Sequence, residues 1–507
     1  MSAMVMQRAD RAASAFWHWL VAFGLLALGL ALLRPTVAGI DDVTWLIEVA
    51  ERMLDGQRLY VDVLETNPPA SVWLYLPAVG LARILGVSSE FLVDAQTYVC
   101  AALSLSACAA ILGRASLLDS FNRPWLLVSA AAILTLLPNG VFGQREHFVL
   151  MALLPMLSVL AARAAGVPGA LVTTVFAALA AGCGLAIKPH YALCLAPAML
   201  VAAWSQNAWH PWPSALRQAL FSVETLVMAA VIALYAGLVA WFQPEFFERI
   251  LPAMAMVYVP VRLTPLQFAT HPAMLIWAGA LVSMVLAARQ RIAAPPLSLL
   301  ALASAGAMLA FVLQGKGFMY QAYPMLALAL AGGMLAVLDK HGTSTATLRM
   351  LALGALLVMG QASWKWFGAA WDSIQLREVL ARIQPSPRFL AISSELSVGH
   401  PLVRQVGGTW LSREPCLWNI KGGLERKERE QLDPATLAQI DAYGKSQRDI
   451  LLEDIRNGRP DIVLVQIALM DWSKWAAADA EISAELAAFE NRGTYDGVQV
   501  LQRRQLR

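Results

Sequence analysis

Two carboxylates stand side by side at Asp41-Asp42, a few residues after the first apolar run ends at Leu33. An adjacent acidic pair at such a boundary caps the helix that follows it, here running to about Asp55, or supplies a general base. The roles are compatible, because a cap fixes the direction of the carboxylate. A second cluster, Gly143-Gln144-Arg145-Glu146-His147, lies between two apolar runs. Three ionisable groups in a row at a span boundary are costly unless they face water or one another, so a functional site is the default reading. The plainer alternative is an interfacial turn with an Arg–Glu pair. Arg145 and His147 suit phosphate oxygens. Lys188-Pro189-His190 and Gly315-Lys316-Gly317-Phe318-Met319-Tyr320 add two further cations at the edges of apolar runs. Singly, each lysine reads as a snorkelling anchor. Together with Arg145 they form a set of cations on one face, as a lipid-linked phosphate at the interface requires.

The elements that position these residues follow from composition. The chain has 507 residues, 58% apolar and only 14% charged, with a mean hydropathy of +0.57. Ordinary soluble proteins carry about 25% charged residues. Uncharged apolar stretches long enough to cross a hydrocarbon core recur from Phe16 to Phe367. They fall at about 16–33, 91–112, 125–141, 148–162, 170–187, 190–204, 219–242, 272–288, 297–313, 318–338 and 348–367. A soluble enzyme, a nucleic-acid-binding protein and a disordered scaffold are excluded, and an α-helical polytopic membrane protein of about 11 transmembrane helices is expected. The net charge of +3 is too small to argue for an anionic polymer as partner. Arg8 and Arg11 precede the first run, which exceeds a signal-peptide core of about 7–15 residues. It reads as an uncleaved span with a cytoplasmic N-terminus. The segment 69–86, with Pro69, Pro77, Trp73 and Tyr75, reads instead as an amphipathic surface helix.

With 11 spans, Arg114, Arg123, Arg163, Arg217, Arg289, Arg291, Lys340 and Arg349 fall in bland cytoplasmic turns. Arg145, Lys188, Arg249, Arg262 and Lys316 fall on the opposite face, within polar clusters. The loop Gln243–His271, with Glu245, Glu248, Arg249, Tyr258 and Arg262, reads as a surface helix over a cavity or as a solvated loop. From about Asp372 the composition becomes that of a soluble domain. Strand-like runs at 389–393, 461–467 and 495–501 alternate with helical patterns at 434–457 and 474–490, so a small α/β domain is expected. The organisation is thus a membrane domain at 1–371, whose first outer loop spans 34–90, and a soluble domain at 372–507 outside the cytoplasm.

Other signals are quiet. Cys100, Cys108, Cys183 and Cys194 lie in apolar runs and Cys416 stands alone, with no metal spacing. His18, His210, His341 and His400 are scattered and receive no role. There is no Walker loop and no dinucleotide-binding glycine motif, which argues against an ATP-driven pump.

The order of a first span, an acidic pair, an aromatic residue, a Leu-x-Gly turn, a Tyr and then x-Pro-Pro resembles the GT-C glycosyltransferases. These include the protein O-mannosyltransferases (glycosyltransferase family 39) and the aminoarabinose transferase that acts on lipid A. The matching residues are Asp41-Asp42, Trp45, Leu54-Asp55-Gly56, Tyr60 and Asn67-Pro68-Pro69. Trp45 stands where the family usually has Tyr, and Asn67 where it often has Lys. The family has a juxtamembrane helix after the Pro-Pro pair and an acidic residue in the loop that holds Glu146.

The resemblance implies an inverting transferase of the bacterial inner membrane that takes a sugar from a polyprenyl-phosphate donor at the periplasmic face. Asp41, Asp42 and Glu146 are then the catalytic candidates, with Asp41 as base. Arg145, His147, Lys188, His190, Lys316 and Tyr320 are candidates for the donor's phosphate, and Tyr60, Glu65, Asn67 and Arg262 for substrate. The acceptor is a hydroxyl of a glycan, lipid or protein. No cofactor is required, and a divalent metal stays open, with Glu65 and His190 as available ligands. The rival reading is a transporter or lipid flippase with the same charges along its path. Such proteins show repeats and helices broken at the midplane, whereas these clusters sit at span ends. A third reading, a bare anchor for the soluble domain, would not need ionisable groups at four span boundaries.

Overall fold

The computed structural model describes residues 20–33, 41–118, 122–206, 212–339, 344–369 and 371–504. Arg8, Arg11, His18, Arg34, Gly39-Ile40, His210, Lys340 and His341 lie outside the described residues. Two compact units divide the chain.

The first unit comprises segments 1–37, 94–237 and 263–369 and is a helix bundle. Each of the eleven expected runs meets a helix among the described residues. Seven are long and apolar enough to cross a membrane unaided, whereas Leu20–Leu33, Arg123–Thr135, Leu171–Ile187 and Ala192–Gln206 are shorter. Burial separates centre from rim: 78% of the apolar window is buried in Arg145–Ala164 and in Met319–Leu338, against 11% in Val223–Phe242. Where helices have no water to exclude from one another, small residues let backbones close up. At Gly306, a Cβ would lie 2.0 Å from the Leu193 carbonyl oxygen, so Pro295–Gln314 and Ala192–Gln206 can pack only because that side chain is absent. Prolines open several helices at positions where no amide bond is lost, as in Arg123–Thr135 and Pro272–Ala288.

Two boundaries differ from the sequence reading. The expected 125–141 run ends its α-helix at Thr135, and Pro138 leads into a short 3-10 turn at Asn139–Val141. The expected 148–162 run begins earlier, at Arg145. The ionisable triplet is thus the first turn of a helix rather than part of a connector.

The second unit gathers 38–93 and 238–262 with 370–507. Its sheet has the order β2-β1-β3-β5-β4, with β1 at Arg388–Ile392, β2 at Thr409–Trp410, β3 at Ile462–Gln466, β4 at Phe489–Tyr495 and β5 at Val498–Arg503. β1 is parallel to β2 and β3, and β3 and β4 are antiparallel to β5. Leu390, Ile392, Val463 and Val465 pack with Leu451, Leu452 and Trp472 in its core. The expected strand at 495–501 crosses a turn: Asp496 and Gly497 take φ of 47° and 79°, the geometry of a tight hairpin. The expected helix at 474–490 is two helices, Trp472–Ala478 and Ala480–Leu486, because Asp479 caps the second through the amides of Glu481 and Ile482. Pro434–Gly458 is helical as expected.

Segment 69–86 folds as Ala70–Trp73 and Leu76–Leu85, packed on Asp41–Leu54. The 243–262 segment is helical from Phe246 to Tyr258 rather than a solvated loop. It docks on the Trp418–Arg429 helix, where a Cβ on Gly422 would stand 2.2 Å from the Val257 carbonyl oxygen and Arg426 donates to the Met256 carbonyl at 2.7 Å. Arg404 ties the C-terminal segment to Asp41–Leu54, pairing with Glu51 at 2.7 Å and with Glu48 at 3.7 Å, and also with Glu90.

Candidate active site

In the second unit, Asp41 and Asp42 form the first turn of Asp41–Leu54. Asp41 Oδ1 accepts from the Asp42 amide at 2.8 Å, and its carbonyl accepts from the Thr44 hydroxyl at 2.9 Å. The carboxylate therefore satisfies one of the amides that every helix start leaves open. Burial, and then the charges of Asp42 and Glu395, push the Asp41 carboxyl up to about 7. Glu395 follows β1 and pairs with Lys421 at 3.0 Å. A carboxylate with such proton affinity is a far better base than an exposed Asp.

Behind this pair, the 60–67 turn converges on Glu65, which is 2% exposed. Trp45 Nε1 donates to Glu65 Oε2. The backbone and side-chain amides of Asn67 donate to Oε1 at 2.7 and 2.5 Å. Tyr60, held at a φ of 68°, donates its hydroxyl to the Asn67 carbonyl at 2.6 Å. Trp45 and Asn67, the two departures from the family pattern, thus act on one carboxylate. Arg262 is exposed. His400, given no role from sequence, is fully buried between the rings of Trp45 and Trp410, with centroids 5.2 and 4.8 Å away. Burial, with Arg52 and Arg404 close by, holds it down to about 3, so it stays neutral. Glu395, Lys421, His400 and Arg404 escaped the sequence reading because each lies more than 300 residues from the helix it serves.

In the first unit, Arg145, Glu146 and His147 are 1%, 0% and 0% exposed. Lys188, at the end of Leu171–Ile187, reaches the Glu146 carboxylate at 3.3 Å. The Arg145 guanidinium lies 5.8 Å from the centroid of the Tyr320 ring, a cation–π contact. Arg145 and His190 are within electrostatic reach of Glu146. His147 Nδ1 accepts from the Gly143 amide at 3.2 Å, which leaves a neutral ring's proton on Nε2. Phe142 and Tyr323 enclose that ring at 5.2 and 5.1 Å. Lys316 is half-buried between Gly315 and Gly317, at φ of 81° and 72°. A Cβ on Gly317 would stand 2.5 Å from Leu263 Cδ1, the movable end of a side chain, so it is the positive φ that favours glycine there. Arg145, Glu146, Lys188, His190 and Tyr320 thus come together. Such a cluster suits an anion. Among the described residues no group of three or more metal-ligating side chains occurs.

No family model matches the sequence, and no curated protein matches it. Among solved structures, the chain is similar to ArnT from Cupriavidus metallidurans, determined bound to undecaprenyl phosphate, with a TM-score of 0.52 and 14% identity over 96% of this chain and 97% of that one. It is also matched to the arabinofuranosyltransferase AftD from Mycobacteria, with a TM-score of 0.42 and 14% identity over 98% of this chain and 40% of that one. The fold is like that of ArnT: a bundle of apolar helices with a small C-terminal sheet domain.

Proposed function

We propose that this protein is a GT-C glycosyltransferase that moves a sugar from a polyprenyl-phosphate donor to an acceptor hydroxyl, with inversion, at the periplasmic face of a bacterial inner membrane. The observation that carries the reading is Asp41, whose carboxyl is pushed up to about 7 at the start of the first outer helix. The undecaprenyl phosphate bound to ArnT supports a lipid of that class as donor carrier. Asp41 removes the acceptor's proton as its oxygen attacks the anomeric carbon, and Asp42 keeps that base strong. Arg145 and Lys188, with Lys316, hold the departing lipid phosphate, whose negative charge grows as the sugar leaves. Glu146 orients Lys188. The test is a transfer assay with purified protein and polyprenyl-phosphate sugars; transfer of none of a broad donor panel to envelope acceptors would sink the reading.

The raised proton affinity sets a pH dependence. Asp41 acts as base only when ionised, so transfer should fall as pH drops through about 7. Asp42→Asn removes a neighbouring negative charge and should move that acid limb to lower pH. A limb that stays in place in Asp42→Asn would show that another group titrates.

Orientation has its own check. With an odd number of spans after a cytoplasmic N-terminus, a periplasmic reporter fused after Arg507 should be active. Activity only from a cytoplasmic reporter would overturn the periplasmic assignment.

A further inference from the structure

In the second unit, β1 and β3 run parallel and end together at one edge of the sheet, the carboxyl edge where α/β sheets take their ligands. Hydrogen bonds fix the chain that leaves β1 there. Gln466, the last residue of β3, accepts from the Ser393 hydroxyl at 2.8 Å and from the Ser394 amide at 3.1 Å. The Glu395 amide donates to the Ser393 hydroxyl at 2.8 Å. The Ser393 carbonyl accepts from the Leu417 amide at 2.7 Å, which sets the start of Trp418–Arg429 beside Glu395. The next turn, Leu396–Val398, packs on Asp41–Leu54. Glu395, Trp418 and Lys421 are thus carried, within one unit, to the helix that opens with Asp41. Glu395 is within electrostatic reach of Asp41, and Asp42, Glu395 and Lys421 are all within reach of the buried Cys416 thiol.

These side chains keep hydrogen-bonding capacity that the protein itself does not use. Lys421 Nζ donates to Glu395 Oε1 at 3.0 Å, and Oε2 has no donor among the described residues. An ammonium has three N–H groups, and the other interaction of this one among the described residues is with the Trp418 ring, whose centroid lies 5.9 Å from Nζ. The Trp418 indole N–H meets no acceptor among the described residues, and Tyr258 stands at right angles to its ring at 5.7 Å. Glu65 differs, because Trp45, Thr66 and Asn67 fill both of its oxygens. Glu395 and Lys421 are 33% and 29% exposed, so a ligand can reach them. The pair is neutral as a whole and does not select for an anion. It sets an acceptor and donors side by side, next to an indole. A pyranose matches that set, with adjacent hydroxyls for the carboxylate and ammonium and a C–H face for the ring. A serine or threonine brings a single hydroxyl, which Asp41 would take, and leaves the rest unmet.

We propose that Glu395, Lys421 and Trp418 form a saccharide subsite beside Asp41, so that the hydroxyl receiving the transferred sugar belongs to another sugar ring. The inference rests on the reading of Asp41 as the general base, and it names the class of acceptor. Glu395 Oε2 accepts from one ring hydroxyl, Lys421 donates to its neighbour, and the indole stacks on the ring. A further hydroxyl is left for Asp41. The three residues choose and hold the acceptor, and none of them takes the proton.

Saturation-transfer NMR on the full chain in detergent, with no donor present, tests this. The probes are methyl glycosides of hexoses, deoxyhexoses, N-acetylhexosamines and pentoses, with N-acetylthreonine methylamide as a protein-type hydroxyl. At least one glycoside should bind, and the threonine compound should not. Glu395→Gln and Lys421→Met should each weaken that glycoside by about 10-fold or more, as loss of a charge-assisted hydrogen bond implies. Trp418→Phe, which keeps a ring to stack on, should bind it better than Trp418→Ala. An ion pair this exposed contributes little to stability, so the first two variants should fold, and unaltered binding of undecaprenyl phosphate would report that they do. The wild-type comparison of glycosides with the threonine compound needs no variant. Binding of no glycoside, equal binding of the threonine compound, or affinities indifferent to Glu395 and Lys421 would overturn the subsite. Transfer to another class of hydroxyl would also overturn it and leave the glycosyltransferase reading standing, whereas glycoside binding without transfer from any donor would do the reverse.

Discussion

Replacing Asp41 by Asn is expected to lower turnover by about 10²–10⁴-fold, the usual worth of a general base, while donor binding persists. The substitution keeps the side chain's size and an oxygen that can accept from the Asp42 amide, as Oδ1 does at 2.8 Å. The helix start should therefore survive. It also removes a carboxylate whose charge is disfavoured by burial and by Asp42 and Glu395, so stability should hold or rise. What is lost is the proton acceptor. A fall in kcat with unchanged affinity for the lipid donor is the signature of an interaction made only in the transition state. Asp42→Asn should lose less, because Asp42 acts through Asp41. The opposite pattern, with Asp42→Asn inactive and Asp41→Asn near normal, would exchange their roles. Two active variants would leave the pair as a helix cap and remove the enzyme reading's central residue.

The sequence made Asp41 visible because its signal is local: an acidic pair, an aromatic, a turn glycine, a tyrosine and a Pro-Pro step within 30 positions. The apolar runs were legible for a similar reason, since each span's length and composition are properties of one contiguous segment. The same local reading could not show that Trp45 and Asn67 meet on Glu65. That convergence needs the chain to reverse at Tyr60, in a conformation that residues other than glycine rarely adopt. Nor could it show Glu395, His400 or Arg404 beside Asp41–Leu54, because contacts across more than 300 residues leave no periodicity. The soluble domain shows the limit in miniature. β1 and β3 are short apolar runs and were found, whereas the alternation at 495–501 continues through Asp496-Gly497 and hid a hairpin. Aspartate followed by glycine is a hairpin signal in its own right. Reading it as punctuation would have separated β4 from β5.

The Glu146–Lys188 pair carries the second large effect. Glu146 is fully buried, its partner's side chain is 13% exposed, and they meet at 3.3 Å. Removing one member of such a pair leaves an uncompensated charge and costs about 3–5 kcal/mol, whereas removing both is often near neutral. Lys188→Met alone should therefore sharply lower the thermal midpoint in detergent, and Lys188→Met with Glu146→Gln should recover most of it. The double variant then separates structure from function. If Lys188 also holds the lipid phosphate, the stable double variant should bind undecaprenyl phosphate about 10-fold or more weakly, the worth of a charge-assisted hydrogen bond. A single variant as stable as the unaltered protein would mean that the buried carboxylate is compensated by Arg145 without Lys188. A stable double variant with unchanged affinity would take Lys188 out of donor binding and leave it as the counter-ion of Glu146. The lysine would then keep a buried acid ionised at the head of the bundle's most enclosed helices, and the phosphate would have to rest on Arg145 and Lys316.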